Sequence, residues 1–150
     1  MAPQNLNLYL RGPVSWRSLA ETILDRKWSE AEAEEWPQTQ PWQESRIWVG
    51  DSRPIDGDPV VTDLVIDHHV HAAFILNKER AMYDQVSAAL RAAGKVCEAH
   101  GGVGALLYGH DDVMLRWSDE RLVVNAVSSF KDHAVEVLGP AVELEPIPWE

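Results

Sequence analysis

The residues best suited to metal chemistry lie in one histidine-rich segment, Asp67-His68-His69-Val70-His71. On a β-strand, Asp67, His69 and His71 project from the same face, with neighbours about 6–7 Å apart. Two imidazoles and a carboxylate are ligands that zinc and non-haem iron accept. A metal site also needs a further well-placed ligand, for which His100 and His110 are the candidates. The alternative is a polar sheet face whose histidines contact water or neighbouring strands. The pattern favours that alternative, and we expect no cofactor.

Two other motifs indicate structure rather than catalysis. A Cys97–His100 nucleophile pair is disfavoured, because a helix C-terminus and the adjacent Glu98 both destabilise a thiolate. Cys97 instead continues the apolar stripe of a helix and is predicted to be a core residue. The glycines at 101, 102 and 104 follow a helix, whereas phosphate-binding loops precede one. The sequence therefore predicts no enzyme activity.

A third group of residues indicates binding rather than chemistry. Four acidic residues, Glu30, Glu32, Glu34 and Glu35, precede Trp36 and Trp42, and four of the seven tryptophans fall within 21 positions. Tryptophan is a favoured anchor in protein–protein interfaces. We interpret these six residues as a candidate partner-binding surface. The alternative, which stays open, is a solvated acidic helix end with the tryptophans folded back onto the core.

The elements that must position these residues follow from hydrophobic periodicity. Alternation predicts strands over 5–11, 46–50 and 64–76, with the even positions of the last facing the core, and three short strands over 105–108, 113–117 and 121–126. Ser15 is the predicted N-cap of a helix from Trp16 to about Trp28, and Asn77 that of a helix to about Cys97 with Met82 in its buried stripe. Residues 131–138 form a further helical turn or two, and 36–42 are irregular.

The order of elements defines the predicted fold class. The pattern β-α-β-β-α-β-β-β is typical of an α+β fold with two main helices on one face of an antiparallel sheet. Residues 1–150 are predicted to form a single domain, with 28–59 as an irregular Trp/Pro-rich insertion.

Composition and charge exclude several classes of function. The 150-residue chain has 24 acidic residues against 13 Lys and Arg, a formal charge of −11 and a pI near 4.9. Binding to nucleic acid or to anionic membranes is disfavoured, because both favour basic surfaces. One cysteine and the lack of a signal-peptide pattern favour a cytoplasmic location. The charge favours a basic protein partner.

The second half of the chain resembles a known family. From Phe74 to Asn125 a strand and an amphipathic helix precede the run Gly104-Ala-Leu-Leu-Tyr-Gly109 and the hairpin Asp112-Val-Met-Leu-Arg-Trp-Ser-Asp-Glu-Arg-Leu-Val-Val-Asn125. This run is similar to the immunity proteins of bacterial swarming-inhibition toxin systems. The resemblance implies a small cytoplasmic protein that binds and neutralises a cognate toxin. It carries over no residue roles.

Three functional hypotheses follow. The first is an immunity protein that masks a basic toxin domain through an acidic surface. The second is a metal-binding or enzymatic domain that uses Asp67, His69 and His71. The third is a structural or adaptor domain. The sequence does not indicate the oligomeric state or the activity of the toxin.

Overall fold

The elements of the fold were located in a computed structural model that describes residues 5–11, 14–27, 29–34, 39–42, 45–51, 70–109, 112–118, 121–139 and 142–146. The strands are β1 (Asn5–Arg11), β2 (Thr39–Trp42), β3 (Ser45–Asp51), β4 (Val70–Ile75), β5 (Val103–Tyr108), β6 (Asp112–Ser118), β7 (Arg121–Asn125) and β8 (Glu143–Glu145). The helices are α1 (Trp16–Leu24), α2 (Glu30–Glu34), α3 (Met82–His100) and α4 (Lys131–Leu138).

The described strands form one sheet in the order β2-β3-β4-β1-β5-β6-β7-β8. Every neighbouring pair is antiparallel except β7 and β8, which are parallel. With helices packed against this mostly antiparallel sheet, the molecule has the predicted α+β fold. The strands over 5–11, 105–108, 113–117 and 121–126 are confirmed to within two residues at each end.

Strand β1 lies inside the sheet because both of its faces can be buried. Its residues Leu6, Leu8 and Leu10 are fully buried, and Asn7 and Tyr9 on the other face are 4% exposed. Leu8 pairs with Ala72 of β4 on one side and with Leu106 of β5 on the other. The alternation in the sequence therefore marks a strand with two buried faces rather than one.

The two faces of the sheet carry separate apolar clusters. The larger one combines the leucines of β1 with Phe74, Ile47 and Leu106 and with apolar residues of α1, α3 and α4. Cys97 belongs to it at 4% exposure, so the predicted core role is confirmed. The smaller cluster, on the opposite face, consists of Tyr9, Ala105, Leu107 and Val113 with Val103 packed against them. The helices of the larger cluster thus share one face, as predicted.

Helix α1 begins as predicted but ends early. The Ser15 hydroxyl accepts a hydrogen bond from the Ser18 N–H at 3.1 Å, which is the N-cap interaction expected for serine. The helix ends at Leu24 rather than near Trp28, because Asp25 adopts a left-handed conformation with φ of 51°. Its N–H then bonds the Glu21 carbonyl and closes the last turn.

The predicted start of α3 was wrong. Asn77 does not cap this helix: its side chain accepts from the Glu79 N–H at 3.0 Å, and the helix begins five residues later at Met82. The intervening turn is held by the buried side chain of Gln85. Its Nε2 donates to the Asn77 carbonyl at 2.9 Å, and its Oε1 accepts from the Asn77 N–H at 2.7 Å. Met82 is consequently 36% exposed and lies outside the buried stripe.

The prediction that residues 36–42 are irregular was also wrong in part, because β2 occupies 39–42 and pairs with β3. Pro41 is tolerated there since an edge strand has a neighbour on one side only.

The other edge strand, β8, is joined to β7 by ion pairs of Arg121, whose guanidinium lies 2.5 Å from a Glu143 oxygen and 2.8 Å from a Glu145 oxygen.

Trp117, the largest fully buried side chain in the described part of the chain, depends on a glycine in the neighbouring strand. Trp117 faces Gly104 across the β5–β6 pair, and a Cβ atom at Gly104 would lie 2.2 Å from the indole ring. The indole N–H donates to the Gly101 carbonyl at 3.2 Å, which fixes the ring over the glycine. The turn before β5 therefore helps to fix the orientation of a core side chain of β6.

We expect Gly104→Ala to destabilise the fold by about 1–3 kcal/mol, because the methyl group overpacks against a ring that cannot retreat. Gly94→Ala is the matched control, since its Cβ would meet Leu138 at an ordinary 3.4 Å and it lies inside α3. That change should stabilise the protein by about 0.5–1 kcal/mol through helix propensity. Urea unfolding measures both, and a shift of the same sign for both variants would contradict the packing argument.

Candidate functional site

The acidic part of the predicted partner surface lies on the short helix α2. Glu30 and Glu34 are exposed, and Glu32 lies between them in the same helix. Glu35 and Trp36 lie outside the described residues, as does Trp28. The prediction that these acidic residues contact a partner stays a prediction.

Trp42 does not share this exposure. Its side chain is 7% exposed and packs against Phe74, with the ring centroids 4.8 Å apart and the planes at 52°. It belongs to the main core cluster. For this residue the alternative interpretation, a tryptophan folded onto the core, describes the structure, and Trp42 is left with little surface to insert into a partner.

The formal charge is distributed unevenly along the sequence. Residues 29–69 contain ten of the 24 acidic residues and two of the 13 Lys and Arg, which gives this stretch a net charge of −8 out of the total of −11. The structure places two of these acidic residues, Glu30 and Glu34, at the surface. Most of the acidic excess therefore falls in one stretch of the sequence.

Of the predicted metal ligands, His71 is described, whereas Asp67 and His69 lie outside the described residues. The His71 Nε2 atom lies 2.9 Å from the Asn7 Oδ1, and the Asn7 amide nitrogen donates to the Gly109 carbonyl at 2.7 Å. The latter bond fixes the amide orientation, so His71 Nε2 carries the proton and donates.

Aromatic rings enclose the His71 imidazole. Tyr9 stacks on it with centroids 4.5 Å apart, and Trp48 meets it edge-on at 5.6 Å. With Nε2 already donating to Asn7, His71 has the surroundings of a hydrogen-bonded sheet-face histidine. Within the described ranges no group of three or more His, Cys, Asp or Glu side chains is arranged to hold a metal ion.

Two further histidines connect the helices by short hydrogen bonds to hydroxyl groups. His100 Nε2, at the end of α3, lies 2.7 Å from the Thr22 hydroxyl of α1. His133 Nε2, in α4, lies 2.7 Å from the Ser87 hydroxyl of α3. Each neighbour of α3 is therefore joined to it by an imidazole–hydroxyl pair.

Burial lowers the pKa of both imidazoles below the ordinary histidine value. For His100 the carbonyl of Ser18 opposes this effect. For His133 the carboxylate of Glu136 opposes it and the guanidinium of Arg91 adds to it. Ser87 is 3% exposed, so little of its surface is open to solvent. Both contacts join helices that pack on the core.

Sequence analysis missed one exposed aromatic residue. Tyr83 in the first turn of α3 is 51% exposed, yet its ring stacks on His133 with centroids 4.2 Å apart and planes at 6°. The sequence carried no signal for this exposure, because Tyr83 lies three residues before Val86 and seven before Leu90, a spacing that predicts a place beside the apolar stripe.

Comparison with known proteins identifies the family. The family model described as SitI3-like matches residues 7–134, and the chain therefore belongs to this family, which is an immunity-protein family. The match covers the framework from β1 into α4, including the segment over 28–59. No curated protein and no solved structure matches the chain. In the described part of the chain no helix has the length and apolar character needed to cross a membrane.

The lowered pKa values of His100 and His133 predict a loss of stability in mild acid. Above about pH 6.5 both states hold neutral imidazoles and the full stability is present. As the pH falls below that value the unfolded chain binds protons that the folded protein resists, so the free energy of unfolding decreases. His100→Gln and His133→Gln should each reduce this dependence between pH 7.5 and 5.5, measured by urea unfolding. A pH dependence equal to wild type in both variants would contradict the assignment.

Proposed function

We propose that the protein is an immunity protein that binds a cognate toxin domain in the cytoplasm and blocks it by covering its surface. The observation that carries this proposal is membership of the SitI3-like family over residues 7–134. The proposed role needs a surface and no reaction: Ser87 is buried, and His71 Nε2 donates to Asn7. Neither nucleic acid nor a membrane is part of the proposed role.

The charge distribution supports a basic toxin domain as the partner. Residues 29–69 carry a net charge of −8, and this acidic excess sets up a local negative field. Such a field steers a basic partner and raises the rate of association more than the final affinity. A nuclease or another enzyme with a basic cleft is the kind of toxin that this field suits.

Within this stretch we assign the first contacts to α2 and the residues after it. Glu30 and Glu34 are exposed and belong to a helix in which every second residue is acidic. Glu32, Glu35 and Trp36 complete the proposed contact set. Trp42 is left out of it because its ring packs on Phe74.

Co-expression tests the function directly. The toxin domain encoded beside this chain should arrest growth when expressed alone, and co-expression of the wild-type chain should restore growth. The two proteins should also co-purify as a complex. A chain that is expressed and folded but neither protects the cells nor co-purifies would overturn the proposal.

The acidic contact set has a separate test. The triple variant Glu30→Gln, Glu32→Gln, Glu34→Gln should slow association with the toxin domain by about threefold or more at low salt and weaken its salt dependence. The matched control, Glu79→Gln, Glu98→Gln, Asp132→Asn, removes the same charge from exposed framework positions and should leave the rate near wild type. Stopped-flow kinetics measures both. Equal effects of the two triple variants would mean that only net charge matters.

A further inference from the structure

Tyr83 is an exposed side chain that is already held in one position. Its ring lies flat on His133, and the nearby Glu136 carboxylate raises the pKa of Tyr83 above the ordinary value. His133 is in turn fixed by the 2.7 Å contact with Ser87. An exposed aromatic of this kind loses little conformational entropy when a partner covers it.

A groove of about 400 Å³ opens beside this tyrosine, between α3 on one side and α1 and β2 on the other. Its floor combines the apolar Ile23, Trp42, Ala88 and Ala92 with the hydroxyl-bearing Ser87. Its rim carries Tyr83, Asp84, Arg91 and Lys95. The volume lies at the lower end of the range for ligand pockets and accommodates a bulky side chain. Trp42 thus contributes the floor of a recess rather than a protruding anchor.

The two cations on the rim are available for pairing. Arg91 and Lys95 are exposed on successive turns of α3, and neither forms a hydrogen bond or an ion pair with another described residue. Asp84, at the other end of the groove, is one turn or more away along the helix. The Arg91–Lys95 end of the rim therefore favours a negatively charged group on whatever enters.

We propose that Tyr83 and this groove form the anchor site for the toxin domain, receiving one apolar side chain of the toxin with a toxin carboxylate beside it that pairs with Arg91 and Lys95. This inference rests on the proposed function and specifies where the complex is held once formed. Tyrosine and arginine are the residue types enriched at the energetic centres of interfaces. The groove receives the apolar side chain of the toxin, and the two cations on its rim orient the toxin through its carboxylate.

The groove and the acidic helix α2 belong to one region of the chain. Ile23 precedes Glu30 by seven residues, and Trp42 follows Glu34 by eight, so the side of the groove opposite α3 is connected to α2 along the chain. The acidic residues then act on the approach of the toxin, whereas Tyr83 acts on its retention. The acidic residues affect the association rate constant and Tyr83 affects the dissociation rate constant, so kinetic measurements can separate the two contributions.

A second copy of this chain is a poorer occupant. The exposed large apolar residues around the groove are Met82 and Tyr83 within the described surface. Obligate homodimer interfaces commonly bury about 2,000 Å² or more in all and are more apolar than those of complexes between different proteins. Two exposed apolar side chains around the groove therefore suit a different protein better than a second copy.

The test compares the toxin affinity of matched variants by biolayer interferometry with an inactivated toxin domain. Tyr83→Ala should weaken binding at least tenfold, mainly through faster dissociation, and Tyr83→Phe should stay within about threefold of wild type. Val127→Ala is the control, because Val127 is 66% exposed at another part of the surface.

The two cations have a separate test. The double variant Arg91→Gln, Lys95→Gln should weaken binding more than the double variant Arg11→Gln, Arg46→Gln, which makes the same change in net charge. Thermal unfolding verifies that each variant is folded.

The outcomes distinguish the anchor site from the function. If the wild type protects cells and binds the toxin while Tyr83→Ala binds equally well, the anchor site is wrong and the immunity function stands. If the wild type neither binds nor protects, the proposed function fails first. If the free protein is a dimer in sedimentation and Tyr83→Ala makes it monomeric, the groove accommodates a second copy, and the inference is overturned.

Discussion

The position of β1 inside the sheet is the constraint on which the rest of the structure depends. Seven residues near the start of the sequence pair on one side with β4 and on the other with β5, which lie about 65 and 100 residues further along. Such a strand has solvent on neither face. It therefore needs side chains that can be buried on both faces: leucines toward the helices, and Asn7 and Tyr9 toward the opposite side.

Asn7 illustrates how this constraint reaches the candidate histidine site. A buried amide is costly unless its donor and acceptor are both used. Here the donor goes to the Gly109 carbonyl, next to the end of β5, and the acceptor receives the His71 proton from β4. One side chain thus connects both neighbours of β1, and the imidazole that a metal would require is engaged by the fold itself.

The sequence predicted those parts of the fold in which one periodicity dominates. The alternation of leucines in β1, the stripe of Val86, Leu90 and Cys97 in α3, and the Ser15 cap each follow from a local rule, and each is present. The wrong predictions, at Asn77 and at residues 39–42, concern segments held by contacts with residues outside their own local pattern. The Asn77 side chain does accept from the Glu79 N–H, but a turn forms there instead of a helix, and the side chain of Gln85 holds that turn through the Asn77 backbone.

The candidate sites were less predictable because residue type does not reveal exposure. Trp42 and Tyr83 are both aromatic, and Trp42, the stronger interface residue by type, is the one in the core. Which of the two faces solvent is decided by the β2–β3 pairing and by the packing of α4 against α3. Net charge was equally ambiguous, because the two halves of the chain carry similar charges while residues 29–69 alone hold −8 of the total of −11.

Pro41 in the edge strand β2 has a consequence for the self-association of the protein. An exposed sheet edge is a template on which further strands, from other molecules, can assemble. A residue that lacks an N–H interrupts the hydrogen-bond ladder on which such growth depends, and β2 is only four residues long. Strands of other molecules therefore meet a short and interrupted template at this edge of the sheet.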